Sequence, residues 1–276
     1  TPIKSSAASD VYKRQDKDLR PPFVGTWETE EYLKKEGRIF NSRTGPADPE
    51  LIRQAQIGYY ACITHLDHQI GRLIMALIEQ ELYDDTVFLF TSDHGEELCD
   101  HHMFRKSRPY EGSCHIPLFI TAGKNVLPDL KAGSVCHSIA ELRDIMPTLL
   151  DIAGAEIPSS VDGESLLPLT RSPEDRKRAW LHGEHSYDIF SNHWIVTETD
   201  KYIWYSQTGQ EQYFDLSSDP HELTDRIQDP SRQERIRELR ACLIRSLKDR
   251  PEGFTDGERL IPGRPYPPSL PNAVLP

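Results

Sequence analysis

The sequence predicts an α/β fold in which a mixed sheet flanked by helices is followed by a small antiparallel sheet with a C-terminal helix. Three observations carry that expectation. An amphipathic pattern from about Asp48 to Gln80 leads into an unbroken apolar run, Thr86 to Thr91, the helix-then-buried-strand succession of α/β chains. A second run of the same character follows at Ile116 to Ala122. Beyond residue 178 the pattern becomes four short strand-like segments separated by turn residues, and then one last amphipathic helix.

Each element has a local reason. Asp48, Pro49 and Glu50 form a cap and first turn, and Ile52, Tyr59, Ile63, Leu66, Ile70, Leu73 and Leu77 recur at helical steps as one core-facing stripe. The run Thr86 to Thr91 lacks polar alternation, so both faces are expected to be covered, as in a parallel sheet. "SIAELRDIMPTLLDIAG" is a second helix ending at Gly154, with Pro147 in its first turn or at a kink. Residues 155–178 are polar and proline-punctuated and read as a connection. "AWLHGEH", "HWIVTET", "KYIWYSQ" and "EQYFDL" then form an antiparallel meander with turns at Asp200 and at Thr208–Gly209. A helix over about Ser231 to Leu247 turns Ile236, Leu239, Leu243 and Leu247 inward. The expected division is 1–15, a non-native-looking segment without periodicity; 16–170, the α/β core; 171–250, the small sheet plus helix; and 251–276, a proline-rich tail.

Composition narrows the function. With 32 Lys and Arg against 44 Asp and Glu, the formal charge of -12 argues against a nucleic-acid partner, which calls for a basic face. No apolar stretch approaches the roughly 18–20 residues of a membrane helix, so a soluble protein without a membrane partner is expected, cytoplasmic or periplasmic. The five cysteines are scattered without CxxC spacing and read as free thiols.

The chemistry concentrates in "FLFTSDHGEELCDHHMFRKSRPYEG", residues 88–112. In open α/β sheets, ligands gather at the carboxyl ends of strands. Asp93 and His94 stand at such an end, before Gly95, and can offer one oxygen and one nitrogen to a hard or borderline cation. The plainer reading is that Asp93 caps the next segment and His94 is a solvated loop residue. Lys106 can pair with a tetrahedral oxyanion beside the metal, whereas Glu97, Arg105 and Arg108 read as solvated charges. His65 and His68 read as packed or interfacial helix residues. His182, Glu184, His185 and His193 fall at strand ends of the meander, where an imidazole can orient substrate or protonate a leaving alkoxide, or simply lie on the surface.

"YYACITHLDHQIGRL", "FLFTSDHGEELCDHHMFRKSRPYEGSCHIPLFI", "LRDIMPTLLDIAG", "VDGESLLPL" and "EQYFDLSSDPHELTD" resemble, in this order, the C-terminal half of a bacterial-type sulfatase, of the alkaline-phosphatase-like superfamily. The resemblance covers roughly residues 20–228. It implies a partial alkaline-phosphatase-like core, a divalent metal ion, usually Ca2+, held by Asp93 and His94, and a catalytic Lys106 that contacts the sulfate. It also implies that the sheet carrying His182 and His185 packs beside the cleft, as substrate-binding residues. His94 in place of Asn makes the motif more like the bacterial sulfatases and the related phosphonate monoester hydrolases.

The departures from the family pattern matter as much. The C/S-x-P-x-R motif that yields the formylglycine nucleophile does not occur, nor do the family's early paired aspartates. The expected partners are therefore a small sulfated substrate and the missing N-terminal half of the same enzyme, and the chain alone is expected to be inactive. Cys99 stands where glycine is common, so the loop is strained if positive φ is needed there. His115 stands where arginine is frequent. The rival readings are a phosphonate or phosphate monoester hydrolase, and a non-catalytic binding module retaining the fold.

Overall fold

The computed structural model describes residues 19–28, 38–39, 42–43, 48–176, 178–186 and 188–265. The expected N-terminal segment 1–15 and the end of the tail, 266–276, lie outside the described residues. The chain forms two compact units: Thr1–Val24, Glu28–Lys106 and Ile116–Ala132 make one, and Gly25–Trp27, Ser107–His115 and Gly133–Pro276 the other. In chain order the elements are β1 (Arg38–Ile39), β2 (Ser42–Arg43), α1 (Pro49–Glu79), β3 (Val87–Thr91), α2 (Glu111–Cys114), β4 (Leu118–Ala122), α3 (Ile145–Ile152), α4 (Leu167–Arg171), β5 (Leu181–His185), β6 (Asn192–Val196), β7 (Asp200–Tyr205), β8 (Glu211–Asp215) and α5 (Gln233–Leu247).

In the first unit, α1 starts as its sequence dictates. The Asp48 carboxylate accepts the Glu50 and Leu51 amides at 2.8 and 3.3 Å, and Pro49 occupies the first turn, where no amide is needed. Its stripe is a different matter. The buried residues are Gln56, Ile57 and Ala61, while Tyr59, Ile63, Leu66 and Leu73 are exposed, as are His65 and His68. Periodicity reports that a helix has an apolar face, not that the described residues cover it. The strand β3 pairs with β4 antiparallel, Leu89 opposite Ile120, and Phe90 stacks on Phe119 at 4.9 Å. This corrects the expected parallel neighbour: an unbroken apolar run reports covered faces, not strand direction. All five β3 residues are part-buried, and among the described residues β4 is the strand's one partner.

The second unit is built on the sheet β5-β6-β7-β8, antiparallel throughout. Every residue of β7 is buried. Ile195, Tyr202, Trp204 and Tyr213 pack with Phe254 and with Ile236, Leu239, Leu243 and Leu247 of α5, so the inward face read for that helix is the face it buries. Gly209 turns β7 into β8 with φ of 77°, a conformation costly for a side chain. The helix α3 is shorter than its pattern suggested: Glu141 is extended, a capping box with Asp144 starts the turn, and Gly154 closes it with φ of 66°. Asp144 also binds the Glu164 amide and Arg178, both at 2.8 Å, which ties the connection 155–178 to α3.

One ion cluster organises this unit. Lys201 of β7 is fully buried, and its ammonium donates to Glu111 at 2.6 Å, Glu222 at 2.8 Å and the Pro109 carbonyl at 2.9 Å. Three donors thus meet three acceptors. The Glu111 amide adds a 2.6 Å bond to Glu222. Burial alone would raise the Glu111 carboxyl, but Lys201 and His115 together hold it down to about 2. Beside them, Tyr110 is buried and bonds Tyr205 and Gln212, while the Trp27 indole donates to the Glu222 carbonyl at 2.8 Å.

Lys201→Met leaves Glu222 buried without its cation. The expected cost is about 3–5 kcal/mol, read as a lowered urea midpoint with an unchanged slope; a loss below 1 kcal/mol would show the cluster to be dispensable.

Candidate active site

Where β3 ends, the backbone leaves extended geometry and adjacent side chains no longer point to opposite sides. The Ser92 hydroxyl donates to the His94 carbonyl at 2.7 Å, and the His94 amide donates to Asp93 Oδ1 at 3.1 Å. The His94 ring sets its own tautomer through a 2.7 Å contact between Nδ1 and the Gly95 carbonyl. A carbonyl only accepts, so Nδ1 carries a proton, and it is the neutral ring that offers its lone pair at Nε2. That nitrogen lies 3.5 Å from Asp93 Oδ2. A cation with bonds of about 2.4–2.5 Å has neighbouring ligand atoms about 3.5 Å apart, so the pair fits a large divalent ion, and the nitrogen donor also admits manganese-like ions. Asp93 is 82% exposed and His94 37%, which leaves room for further ligands.

The loop beyond is strained and firmly held. Leu98, Cys99, His101, His102 and Arg105 all have positive φ, with Cys99 at 79° where glycine was the expected requirement. Such residues cost of order 1–3 kcal/mol each and persist only where the surroundings over-determine them. Here Asp100 accepts both Arg20 nitrogens, at 2.8 and 2.6 Å, and the Phe23 amide at 2.8 Å. The His101 amide returns a bond to the Phe23 carbonyl at 2.8 Å, and its ring meets Glu28 at 2.7 Å, both side chains being buried. Glu96 binds the Arg105 amide, and the Glu97 amide binds the Arg105 carbonyl at 2.8 Å. Lys106 follows this closure directly and is exposed.

Three residues depart from their expected exposure. Glu97 is completely buried, and Arg108 is buried with its guanidinium 4.0 Å over the Phe190 ring, so neither is a solvated charge. His193 is completely buried rather than on a surface. Its signal was in the two-residue alternation with Ile195, also fully buried. The Glu28–His101 and Arg20–Asp100 pairings join residues 73 and 80 apart, and no local pattern announces them.

In the second unit, His182 and Glu184 share one face of β5, and Glu184 lies directly opposite His193 of β6. His182 Nε2 is 3.2 Å from His193 Nδ1, which is 3.4 Å from Glu184. Burial pulls His182 down to about 4 and His193 to about 2. At neutral pH both rings are uncharged, which suits orientation by hydrogen bonding better than proton donation. His185 is part-buried at the end of β5. His115 is tied to Glu111 at 2.8 Å, a hydrogen bond that raises its basicity.

Two family models match the chain, one described as sulfatase over residues 21–155 and one as N-sulphoglucosamine sulphohydrolase, C-terminal, over residues 99–249. The chain is 47% identical over 256 residues to an arylsulfatase of Clostridium perfringens, spanning 93% of this chain and 53% of that protein. It is 35% identical over 198 residues to human arylsulfatase K, spanning 66% of this chain and 35% of that one. The chain thus spans about half the length of the first relative and about a third of the second. Its fold resembles a phosphonate monoester hydrolase from Silicibacter pomeroyi, with a TM-score of 0.64 at 28% identity over 73% of this chain and 43% of that one.

The depressed histidines make stability pH-dependent. The unfolded rings take up protons near pH 6.5 while the folded ones do not, so unfolding gains as pH falls. Stability is fully present above about pH 6.5 and falls as the pH is lowered toward 4, where His182 itself titrates. His182→Gln should remove on the order of 2 kcal/mol of that decline, measured by urea titrations at pH 7.5 and 4.5; an unchanged decline would contradict it.

Proposed function

The chain belongs to the sulfatase family and shares its alkaline-phosphatase-like fold, and from that premise we propose that it is the part of a sulfuric ester hydrolase that holds the divalent metal and binds the sulfate of a small substrate. Asp93 and His94 hold the cation, Ca2+ by the family's pattern, and Lys106 binds the sulfuryl oxygens. The observation that carries the reading is the 3.5 Å approach of a tautomer-fixed imidazole nitrogen to a carboxylate oxygen at the end of β3. A divalent cation bound there supplies Lewis-acid polarisation of the sulfuryl oxygens and a less basic nucleophile. His94 commits Nδ1–H to Gly95, so that in the neutral ring Nε2 is the nitrogen offered to the cation. Lys106, on a loop held by Asp100 and Glu96, offsets charge that grows on the leaving oxygen as the S–O bond breaks. By the family resemblance alone, His182 and His185 are assigned to substrate binding. By the family's pattern the nucleophile is a formylglycine hydrate supplied by the N-terminal half of the enzyme.

A second reading, a phosphonate or phosphate monoester hydrolase, is supported by His94 in the metal motif and by the likeness to the Silicibacter pomeroyi enzyme. The same cation and lysine serve either ester.

The experiment is kinetic, on the whole enzyme that carries this chain. An aryl sulfate should be hydrolysed with a higher kcat/KM than phenylphosphonate. Lys106→Ala should lower kcat by about 10²-fold or more, and Asp93→Ala should abolish both cation uptake and turnover with the fold intact by circular dichroism. Preference for the phosphonate selects the second reading, and full activity of Asp93→Ala overturns both.

A further inference from the structure

We infer that the four-stranded sheet carries a transition-metal site of its own, formed by His182 Nε2, His193 Nδ1 and the Glu184 carboxylate, with the donor chemistry of a zinc site. The three ligand atoms lie within 4.8 Å of one another. Two of their separations are 3.2 Å, nitrogen to nitrogen, and 3.4 Å, nitrogen to oxygen. A tetrahedral ion with bonds of about 2.0–2.1 Å has ligand atoms about 3.3 Å apart, so these separations are already those of a polyhedron edge. Two imidazoles and one carboxylate form the three-ligand, open-position set of borderline divalent ions. No main-chain movement is needed, because the strand register itself creates the cluster: Glu184 faces His193 across the ladder, and His182 is the diagonal neighbour on the same face.

The surroundings preorganise the ligands. The His193 ring stacks on Trp204 at 5.7 Å and meets the edge of Phe254 at 5.0 Å, which fixes its plane without a metal. Burial keeps both rings neutral at pH 7, so no imidazolium proton competes with the ion. Binding needs both facing nitrogens as acceptors. The ring that donates in the His182–His193 bond therefore takes the tautomer with its proton on the far nitrogen, and no charge is added. Arg250 donates to both Glu184 oxygens, at 3.1 and 2.9 Å, and its charge is answered by Glu252 at 2.8 Å, an outer layer that orients the ligating carboxylate. Glu184 is 36% exposed, which leaves a route for the ion and a place for a water ligand.

The test is a calorimetric zinc titration of this chain at pH 7.5 in excess calcium, with intense cobalt d–d absorption as the signature of a tetrahedral site. The expected result is one equivalent bound, at least tenfold more weakly by Glu184→Gln and by His182→Gln, and unchanged in Asp93→Ala. Both glutamine variants sit on the edge strand, and near-ultraviolet circular dichroism checks that their cores are intact. The inference is overturned if the parent takes up no zinc, if either glutamine variant retains parent affinity, or if Asp93→Ala abolishes uptake.

Discussion

A single hydrogen bond from the His94 ring to the Gly95 carbonyl governs what the end of β3 can do. Imidazole exchanges its proton between two nitrogens at little cost, and a metal ligand needs the exchange settled in advance. Here the backbone settles it. With Nδ1 committed, Nε2 presents its lone pair beside Asp93 Oδ2, while the other carboxylate oxygen is occupied by the His94 amide. Two consecutive residues of an extended strand cannot face one point, so the departure from β geometry after Thr91 is as necessary as the side chains themselves.

That departure has to be held, and each unit contains a device of the same kind. In the first, Asp100 gathers Arg20 and the Phe23 amide, and Glu28 receives His101, so the left-handed residues of the loop are fixed by contacts far away in sequence. In the second, Lys201 is buried among Glu111, Glu222 and a carbonyl, and anchors the segment 107–115 to β7. A buried charge with every donor paired is costly to disturb and therefore specific in where it places the chain. Each device spends its carboxylates on structure, which leaves Asp93, exposed at the strand end, able to take an ion.

Much of this was legible in residues alone, for identifiable reasons. Asp48–Pro49 announced α1, and the glycines at 154 and 209 announced a helix end and a turn, because capping and positive φ are local matters. The inward face of α5 was equally readable, since α5 has a buried partner in β7 and β6. The stripe of α1 is apolar as its periodicity says, but among the described residues Tyr59, Ile63, Leu66 and Leu73 stay exposed, because amphipathicity says nothing about what supplies the cover. Glu97 and Arg108 looked solvated because charge runs usually are; their burial depends on long-range contacts. In the candidate site the strand-end pair stood out as a motif, whereas the His182–Glu184–His193 cluster required the β5–β6 register, which segment patterns do not supply.

The most direct measurement is a long-range 1H–15N correlation spectrum of the His94 side chain in this chain at neutral pH. The account predicts that the neutral ring is the tautomer protonated at Nδ1, with the Nε2 resonance broadened first as Mn2+ is added. A neutral ring protonated at Nε2, or broadening that spares His94, would contradict it.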